Sequence, residues 1–156
     1  MIYDTYDSPL GKMVLCCDGE YLTAVVFEGQ AYEDKHIPQD AVWGSCPVLE
    51  ETKVWLRKYF QGNTPQKLPP VKLEGTEFQK RVWELLLEIP YGNTITYGEL
   101  AEKLGCKSAQ AVGGAVGRNP VSILIPCHRV LGANGKLTGY AGGIERKEAL
   151  LQLEHP

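Results

Sequence analysis

The segment that most constrains the fold is Asn63-Thr64-Pro65-Gln66-Lys67-Leu68-Pro69-Pro70. Proline lacks the backbone N–H that helix interiors and central strands require, and it keeps the residue before it out of the helical region. A stretch with three prolines in eight residues therefore continues neither kind of element, and we interpret it as a linker. The sequence predicts two small domains, residues 1–70 including the linker and residues 71–156.

The N-terminal half is predicted to be a small α/β domain. Residues 2–6, 13–17 and 22–27 are rich in β-branched, aromatic and aliphatic side chains, and Asp18-Gly19 is a turn signal between the last two segments. These segments predict an antiparallel sheet. An amphipathic helix is expected between Pro47 and Gly62.

The C-terminal half is predicted to be mostly helical. Capping-box patterns at residues 76–79 and 96–99 mark the starts of two helices. The second of these helices ends at Gly105, and a third is expected over residues 108–117. Two short helices around a glycine-containing turn are typical of a helix-turn-helix. With a last helix from Ile144, the expected fold class is α/β, with a helical second domain that contains a helix-turn-helix.

The third of these helices has almost no side-chain bulk. Ala109, Ala111, Gly113, Gly114 and Ala115 lie within it, although glycine costs about 1 kcal/mol relative to alanine inside a helix. A thin helix can enter a narrow minor groove, or it can press tightly against another element of the same protein. Both interpretations stay open. If the helix binds DNA, its lack of large polar side chains predicts binding without sequence preference.

The charge distribution indicates where an anionic partner would bind. The chain has a net charge of −3, which argues against a protein held on nucleic acid mainly by counterion release. Residues 1–74 hold 7 Lys+Arg against 11 Asp+Glu, whereas residues 75–156 hold 9 against 8. An anionic partner is therefore expected to contact the second half.

The N-terminal sequence and the cysteine content point to a reducing compartment. The N-terminus carries acidic residues where a signal peptide needs a basic start, and no apolar run approaches membrane-spanning length. We expect a cytoplasmic protein that does not bind membranes. Five cysteines without a C-x-x-C pair predict neither a disulfide framework nor a metal site.

The chemistry of the chain is concentrated in residues 123–130, which read Ile-Leu-Ile-Pro-Cys-His-Arg-Val. A thiol becomes a nucleophile as its thiolate, and a neighbouring histidine or cation is the usual way to reach that state near neutral pH. Cys127 has both neighbours, His128 and Arg129. The alternative is that Cys127 is a small buried hydrophobic residue.

The order of several motifs carries a resemblance to a known family. Gly117-Arg118-Asn119-Pro120 precedes Ile-Pro-Cys-His-Arg-Val, and Gly139-Tyr140-Ala141-Gly142-Gly143 and Arg146-Lys147-Glu148 follow it. In this order and spacing, residues 76–154 resemble the O6-alkylguanine-DNA alkyltransferases. The first 70 residues match that family in size and coarse pattern only. The resemblance implies a small α/β domain followed by a helical DNA-binding domain.

The resemblance also implies a role for each residue of the site. Cys127 would accept the alkyl group. His128 would deprotonate the Cys127 thiol through a bound water, and Glu154 would orient the His128 ring and stabilise the imidazolium. Asn119 would brace the turn, and Tyr97 would donate to the purine and crowd the phosphate to drive base flipping. Residues expected to contact DNA or the base pocket are Ala109, Gln110, Ala111, Gly113, Arg118, Val130, Tyr140, Ala141, Gly142 and Lys147.

The function implied is direct DNA repair in one turnover. A methyl or small alkyl group would pass irreversibly from O6 of guanine to Cys127, with O4 of thymine as a second candidate substrate. A thiolate displaces the alkyl group from oxygen without a metal or cofactor, so none is expected. The expected partner is double-stranded DNA carrying O6-alkylguanine, bound through the minor groove by a monomer.

One residue departs from the family pattern. The position at which relatives commonly carry an arginine, which enters the base stack in place of the extruded base, is Gln110 here. Glutamine lacks the charge and planar fork of a guanidinium group. We therefore predict slower or weaker base flipping than in arginine-bearing relatives.

Three other classes of protein could use parts of the same sequence pattern. An alkylation-lesion binding module would use the same scaffold without transfer, but such proteins typically lack the acceptor cysteine. A cysteine hydrolase would use Cys127, His128 and Glu154 for acyl transfer but would not need a thin helix. A helix-turn-helix regulator would leave those three residues unexplained. The lesion-binding module is the second candidate.

Overall fold

The computed structural model describes residues 1–64 and 67–155, and it divides the chain into two compact units. Unit 1 comprises Met1–Leu73 and Pro120–Ser122, and unit 2 comprises Glu74–Asn119 and Ile123–Pro156. The division falls three residues after the boundary predicted from the prolines. Pro65 and Gln66 of the predicted linker lie outside the described residues. The sequence analysis did not predict that residues 120–122 belong with the N-terminal half.

The core of unit 1 is a four-stranded sheet. The three predicted antiparallel strands are confirmed as β1 (Ile2–Ser8), β2 (Gly11–Cys17) and β3 (Leu22–Phe27). A short fourth strand, β4 (Val42–Trp43), pairs parallel with β1, so the order is β3-β2-β1-β4. The predicted antiparallel sheet is therefore confirmed for β1, β2 and β3, and the parallel strand at its edge was not predicted. A two-residue strand has no periodicity by which its sequence could reveal it.

Helices and a returning segment cover this sheet. A short helix, α1 (Glu33–His36), precedes β4. The predicted amphipathic helix is α2 (Pro47–Phe60), which packs against the sheet and buries Val48, Leu49, Thr52, Trp55, Leu56 and Tyr59. Proline at the first position of α2 has no N–H to leave unpaired, which suits a helix start. Residues 120–122 lie along β3, where Val25 N donates to Pro120 O and Ser122 N donates to Val25 O, at 2.9 and 2.8 Å.

Unit 2 contains the predicted helices. They are α3 (Glu77–Leu87), α4 (Tyr97–Leu104), α5 (Ala109–Gly117) and α6 (Ile144–Glu154). Both capping boxes are present, since the Thr76 and Thr96 hydroxyls accept from the backbone N–H of Gln79 and Glu99, and the threonine backbone N–H groups donate to the Gln79 and Glu99 side chains. Gly105 ends α4 in the left-handed region at φ 64°, where glycine has no steric penalty. Within the described part of the chain, no helix has the length and apolar character needed to span a lipid bilayer.

A two-stranded parallel sheet in unit 2 was not predicted. β5 (Ile95–Thr96) pairs with β6 (Val130–Leu131), with Ile95 opposite Val130. β5 leads directly into α4, and β6 follows directly after residues 127–129. This pairing brings the start of α4 beside the segment that carries Cys127, although the two lie about thirty residues apart in the sequence.

Candidate active site

The Cys-His-Arg segment forms a tight turn. Cys127–Arg129 is a 3-10 helix, closed by a bond from Arg129 N to Pro126 O at 3.0 Å. No local pattern in the sequence predicted this turn. Just before it, Ile123 has φ 70°, a left-handed conformation that a β-branched residue adopts only when its surroundings impose it. Every residue from 121 to 130 is buried, so packing holds this backbone in place.

Asn119 braces this turn and contacts the thiol. Its Nδ2 donates to Ile125 O at 2.8 Å, and its side chain also hydrogen-bonds Cys127. Burial nevertheless dominates, and it raises the pKa of the Cys127 thiol to about 11, against smaller lowering effects of Asn119 and Lys147. In the protein without DNA the thiol is therefore protonated at neutral pH, and its reaction as a nucleophile requires a base.

His128 lies in a position to supply that base. Its Nε2 is 2.6 Å from Glu154 Oε2, and both side chains are buried. Burial lowers the pKa of His128, and the nearby Glu154 carboxylate opposes that effect without overcoming it. The ring is therefore neutral at pH 7, and the carboxylate selects the tautomer with its proton on Nε2. Among the residues that the structure describes, Nδ1 has no hydrogen-bond partner, so its lone pair can accept a proton.

Glu154 is shared between His128 and Arg129. The Arg129 guanidinium donates through Nε to Glu154 Oε1 at 2.7 Å and through Nη2 to Oε2 at 3.1 Å. Its third bond is from Nη1 to the carbonyl of Ile89 at 2.8 Å. The sequence analysis considered Arg129 as a cationic neighbour of the thiol and missed its pairing with the carboxylate. A buried carboxylate normally has a cationic partner, and that rule could have identified the pair.

Lys147 is in the interior. It was predicted among the DNA-contacting and base-pocket residues, but its side chain is fully buried, and Nζ donates to the carbonyls of Thr138 and Gly139 at 2.6 and 3.2 Å. Nζ also lies 5.8 Å from the centre of the Tyr97 ring. Burial lowers the pKa of Lys147 to about 8, and Cys127 opposes this. Lys147 therefore holds the backbone of the loop after Cys127 close to the thiol.

Tyr97, at the start of α4, lies beside the same loop. Its hydroxyl hydrogen-bonds the side chain of Thr138, and its pKa is raised chiefly by burial and also by Cys127. The hydroxyl therefore keeps its proton at neutral pH and can donate it. In the adjoining loop, Tyr140 and Ala141 are half-buried and Gly142 is buried, while Val130 is fully enclosed.

The exposed face of α5 carries the residues predicted to contact DNA. Ala109, Gln110 and Ala111 are exposed, and Gly113 is half-buried. A Cβ added at Gly113 would meet nothing within 4 Å. Arg118, just after the helix, is exposed and donates through Nη1 to Gly114 O at 3.2 Å. The predicted DNA-contacting roles of these residues stay predictions.

The opposite face of α5 packs inward. Val112, Ala115 and Val116 are buried, and Trp83 of α3 donates through Nε1 to Ala115 O at 2.9 Å. The interpretation that the helix packs against another element of the protein is therefore confirmed for its inner face, and the minor-groove interpretation stays a prediction for its exposed face. In the described ranges 1–64 and 67–155, no group of three potential ligand side chains is arranged to hold a metal ion.

Comparison with known proteins places the whole chain in one family. Residues 77–156 match the DNA-binding domain of 6-O-methylguanine DNA methyltransferase, and residues 1–74 match its ribonuclease-like domain. A methylated-DNA–protein-cysteine methyltransferase from Mycobacterium tuberculosis is 47% identical over 154 residues, 97% of this chain and 91% of that protein. One from Methanosarcina acetivorans is 47% identical over 158 residues, 99% and 98% of the two chains.

A solved structure shows the same architecture. The crystal structure of Mycobacterium tuberculosis OGT in complex with DNA aligns with a TM-score of 0.89 at 44% identity, covering 99% of this chain and 92% of that one. Both units and the DNA-binding half thus have counterparts in a protein seen on DNA. The fold and the buried Cys-His-Glu arrangement define a DNA-binding alkyl-acceptor protein. The chain belongs to the 6-O-methylguanine DNA methyltransferase family.

Proposed function

We propose that this protein repairs DNA directly by moving a methyl or small alkyl group from O6 of guanine to Sγ of Cys127. The relatives reported above are named for transfer from methylated DNA to a protein cysteine. The observations that carry the assignment to Cys127 are its hydrogen bond with Asn119 and the buried His128–Glu154 pair that begins at the next residue. The other thiols are Cys16, Cys17, Cys46 and Cys106, and none of them is next to a histidine in the sequence.

The proton of Cys127 has to leave before the sulfur can attack. His128 Nδ1 makes no direct bond to the thiol, so we propose that a water molecule carries the proton from Sγ to Nδ1. The imidazolium that forms is stabilised by Glu154 at 2.6 Å. Arg129 keeps that carboxylate ionised and oriented. These residues form the thiolate only when it is needed, since burial otherwise keeps the thiol protonated.

Alkyl transfer then follows as a displacement at carbon. The thiolate of Cys127 attacks the alkyl carbon in line, the S–C bond forms, and the C–O6 bond breaks with its electron pair going to the purine. Tyr97, whose hydroxyl is protonated, donates to the departing purine and improves it as a leaving group. The product is a thioether, which has no acidic proton and no easy reversal, so each molecule acts once.

Reaching O6 requires the guanine to leave the helix. Flipping costs a few kcal/mol, and less for a weakly paired damaged base. We propose that the exposed face of α5 enters the minor groove, that Gln110 fills the space left by the base, and that Val130 and Ala141 border the base. The protein would act as a monomer in the cytoplasm. O4-alkylthymine is a second candidate substrate.

The second candidate function is lesion recognition without transfer. Both functions predict tight binding to alkylated duplex, and Cys127 favours transfer because a pure recognition module has no need of an acceptor thiol. The deciding measurement is the intact mass of the protein after incubation with a duplex that carries one O6-methylguanine. Transfer predicts the gain of one methyl group, located by peptide mapping on residues 119–129, which hold Cys127 as their only cysteine.

Two variants control this measurement. Cys127→Ser is expected to bind the duplex and gain no mass, whereas Cys106→Ser is expected to gain the methyl group as the native protein does. Binding without any mass gain in the native protein would reject transfer and support the recognition module. A methyl group on another cysteine would reject the assignment to Cys127.

A further inference from the structure

Two cysteines of unit 1 that the repair reaction does not use lie against each other. The Sγ atoms of Cys17 and Cys46 are 2.6 Å apart, although 29 positions separate the residues in the sequence. Both residues belong to unit 1. A disulfide has its sulfur atoms 2.03–2.05 Å apart, so the two sulfurs need to approach by only about half an ångström to bond.

The fold of unit 1 brings the two thiols together. Cys17 is the last residue of β2, and a register shift between Cys16 and Cys17 interrupts the pairing of β2 with β3. In a regular strand, neighbouring side chains point to opposite faces, and a bulge re-aims one of them. Cys46 immediately precedes α2, which packs against β1 and β2. The bulge and the start of the helix thus meet at these two sulfur atoms.

The two thiols differ in access. Cys17 is fully buried, whereas Cys46 is half-exposed. A small oxidant therefore meets Cys46 first, and Cys17 is the thiol in contact with the oxidised sulfur. The surroundings do not favour a metal instead, because the described residues provide no third ligand side chain beside the pair.

We propose that Cys17 and Cys46 form a reversible disulfide when the protein meets a peroxide. The peroxide oxidises Cys46 Sγ to a sulfenic acid, and its other oxygen leaves as water. Cys17 Sγ then displaces the hydroxyl group from that sulfur, so the S–S bond forms and a second water leaves with the proton of Cys17. Two thiols lose two electrons in all, and the peroxide takes them up.

The disulfide would stabilise unit 1 and leave the acceptor thiol of Cys127 reduced. It would cross-link the end of β2 to the start of α2 and close a loop of residues 17–46. A cross-link of this kind stabilises a protein mainly by restricting the unfolded chain. Cys127 is buried, belongs to unit 2, and its thiol is protonated at neutral pH, so peroxide reacts with it slowly. The pair would therefore oxidise first and leave the protein able to repair.

The test uses the full-length protein treated with hydrogen peroxide, followed by alkylation of free thiols under denaturing conditions. The proposal predicts that three of the five cysteines are alkylated and that the protein is two hydrogen atoms lighter before alkylation. Trypsin should yield residues 13–35 linked to residues 36–53. A thiol reductant should restore five free thiols. Five free thiols after peroxide, or a link that involves Cys127, would overturn the proposal.

Matched variants identify the partners. Cys17→Ser and Cys46→Ser should abolish the disulfide. Cys16 precedes Cys17 and is equally buried, and Cys16→Ser should retain the disulfide. Cys46→Ser is expected to fold, because serine is a preferred residue at a helix N-cap. If Cys17→Ser does not fold, fragmentation of the linked native peptides between Cys16 and Cys17 locates the bond, and a bond on Cys16 refutes the proposal. Oxidation should raise the unfolding midpoint of the native protein by roughly 5 °C or more and leave that of Cys46→Ser unchanged.

Discussion

Glu154 determines the protonation of the site at the scale of single residues. Its two oxygens bind His128 Nε2 and the Arg129 guanidinium, and all three side chains are buried. A buried carboxylate is tolerated when it is paired and fully hydrogen-bonded. The pairing with Arg129 keeps Glu154 negative, and a negative Glu154 fixes the tautomer of His128. The arginine thus acts on the thiol through two other residues.

Glu154→Gln removes the charge and keeps the shape of the side chain. We expect alkyl transfer to slow by about 10²- to 10⁴-fold, since the imidazolium loses its counter-charge and its fixed tautomer. The free energy of unfolding should fall by roughly 3 kcal/mol, because Arg129 is left buried without a counter-charge. Single-turnover rates and urea unfolding measure the two effects. Glu148→Gln, exposed on the same helix, is the control, and equal transfer rates in both variants would exclude a role of Glu154 in the chemistry.

The pH dependence of thiol reactivity tests the protonation of Cys127 directly. Burial raises the pKa of Cys127 to about 11, so in the protein without DNA the thiolate fraction rises about tenfold per pH unit over the range below that value. Alkylation of Cys127 by iodoacetamide should therefore keep accelerating from pH 7 to pH 10, whereas free cysteine levels off near pH 8.5. Circular dichroism confirms that the protein is folded at each pH. A plateau near pH 7 would mean that the thiol is already activated without DNA.

At the scale of elements, α5 presents two different faces. Val112, Ala115 and Val116 pack inward, while Ala109, Gln110 and Ala111 are exposed. The small residues of the inner face allow α3 to approach closely, as the bond from Trp83 to Ala115 shows. Gly113 differs, because a Cβ there would meet nothing within 4 Å. Packing within the protein thus does not explain glycine at this position.

Gly113→Ala tests whether the glycine serves DNA binding. The substitution should raise the free energy of unfolding by up to about 1 kcal/mol, since alanine has the higher helix propensity and the space is open. If the exposed face enters a narrow groove, the same methyl group should weaken binding to duplex DNA. Gly117→Ala, also in open space but at the end of the helix, is the control and should bind as the native protein does. Unchanged affinity of Gly113→Ala would contradict the groove interpretation.

Gln110→Arg tests the departure from the family pattern. We expect faster repair of O6-methylguanine in duplex DNA, because a guanidinium group fills and stacks in the gap better than a carboxamide. Repair of the same base in a single strand should not change, since no partner base has to be replaced. Gln61→Arg, exposed in unit 1, adds the same charge elsewhere. If both variants repair duplex at the same rate, charge and not position explains any gain.

The sequence revealed the elements whose signals are local. Capping boxes and Gly105 located α3 and α4, and the segments rich in β-branched, aromatic and aliphatic residues on either side of Asp18-Gly19 located the hairpin of β2 and β3. Pairings between short, distant segments were missed, including β4 beside β1 and β5 beside β6. Two-residue strands carry no period, and their position is fixed by tertiary packing.

The same contrast holds for the candidate site, where the sequence indicates residue types and not their geometry. Residue types and motif order indicated Cys127, His128 and Glu154 as candidates for the chemistry, and their roles stay predictions. They did not predict the 3-10 turn at Cys127–Arg129, the interior position of Lys147, or the contact between Cys17 and Cys46. Each of these depends on how the chain returns on itself, which no local pattern encodes.

At the scale of the whole molecule, acidic and basic residues are distributed unevenly between the two halves of the chain. Met1–Leu73 of unit 1 have 7 basic against 10 acidic residues, while residues 75–156 have 9 basic against 8 acidic residues. Two of those basic residues, Arg129 and Lys147, are buried. Seven cations therefore remain for phosphates, and the salt dependence of DNA binding is limited to what these seven can supply.

Arg118 is the cation best placed to contact phosphate, because it is exposed at the end of α5 and its guanidinium is held against Gly114 O at 3.2 Å. A side chain already held in position loses little freedom on binding. Arg118→Ala should weaken binding to all duplexes alike and reduce the slope of log K against log salt by about one. Titrations at several salt concentrations measure the slope, with Arg57→Ala, exposed on α2 of unit 1, as the control. An unchanged slope together with a lower unfolding midpoint would assign Arg118 to the C-terminal end of the helix alone, and the phosphate contacts would then have to come from other cations of unit 2.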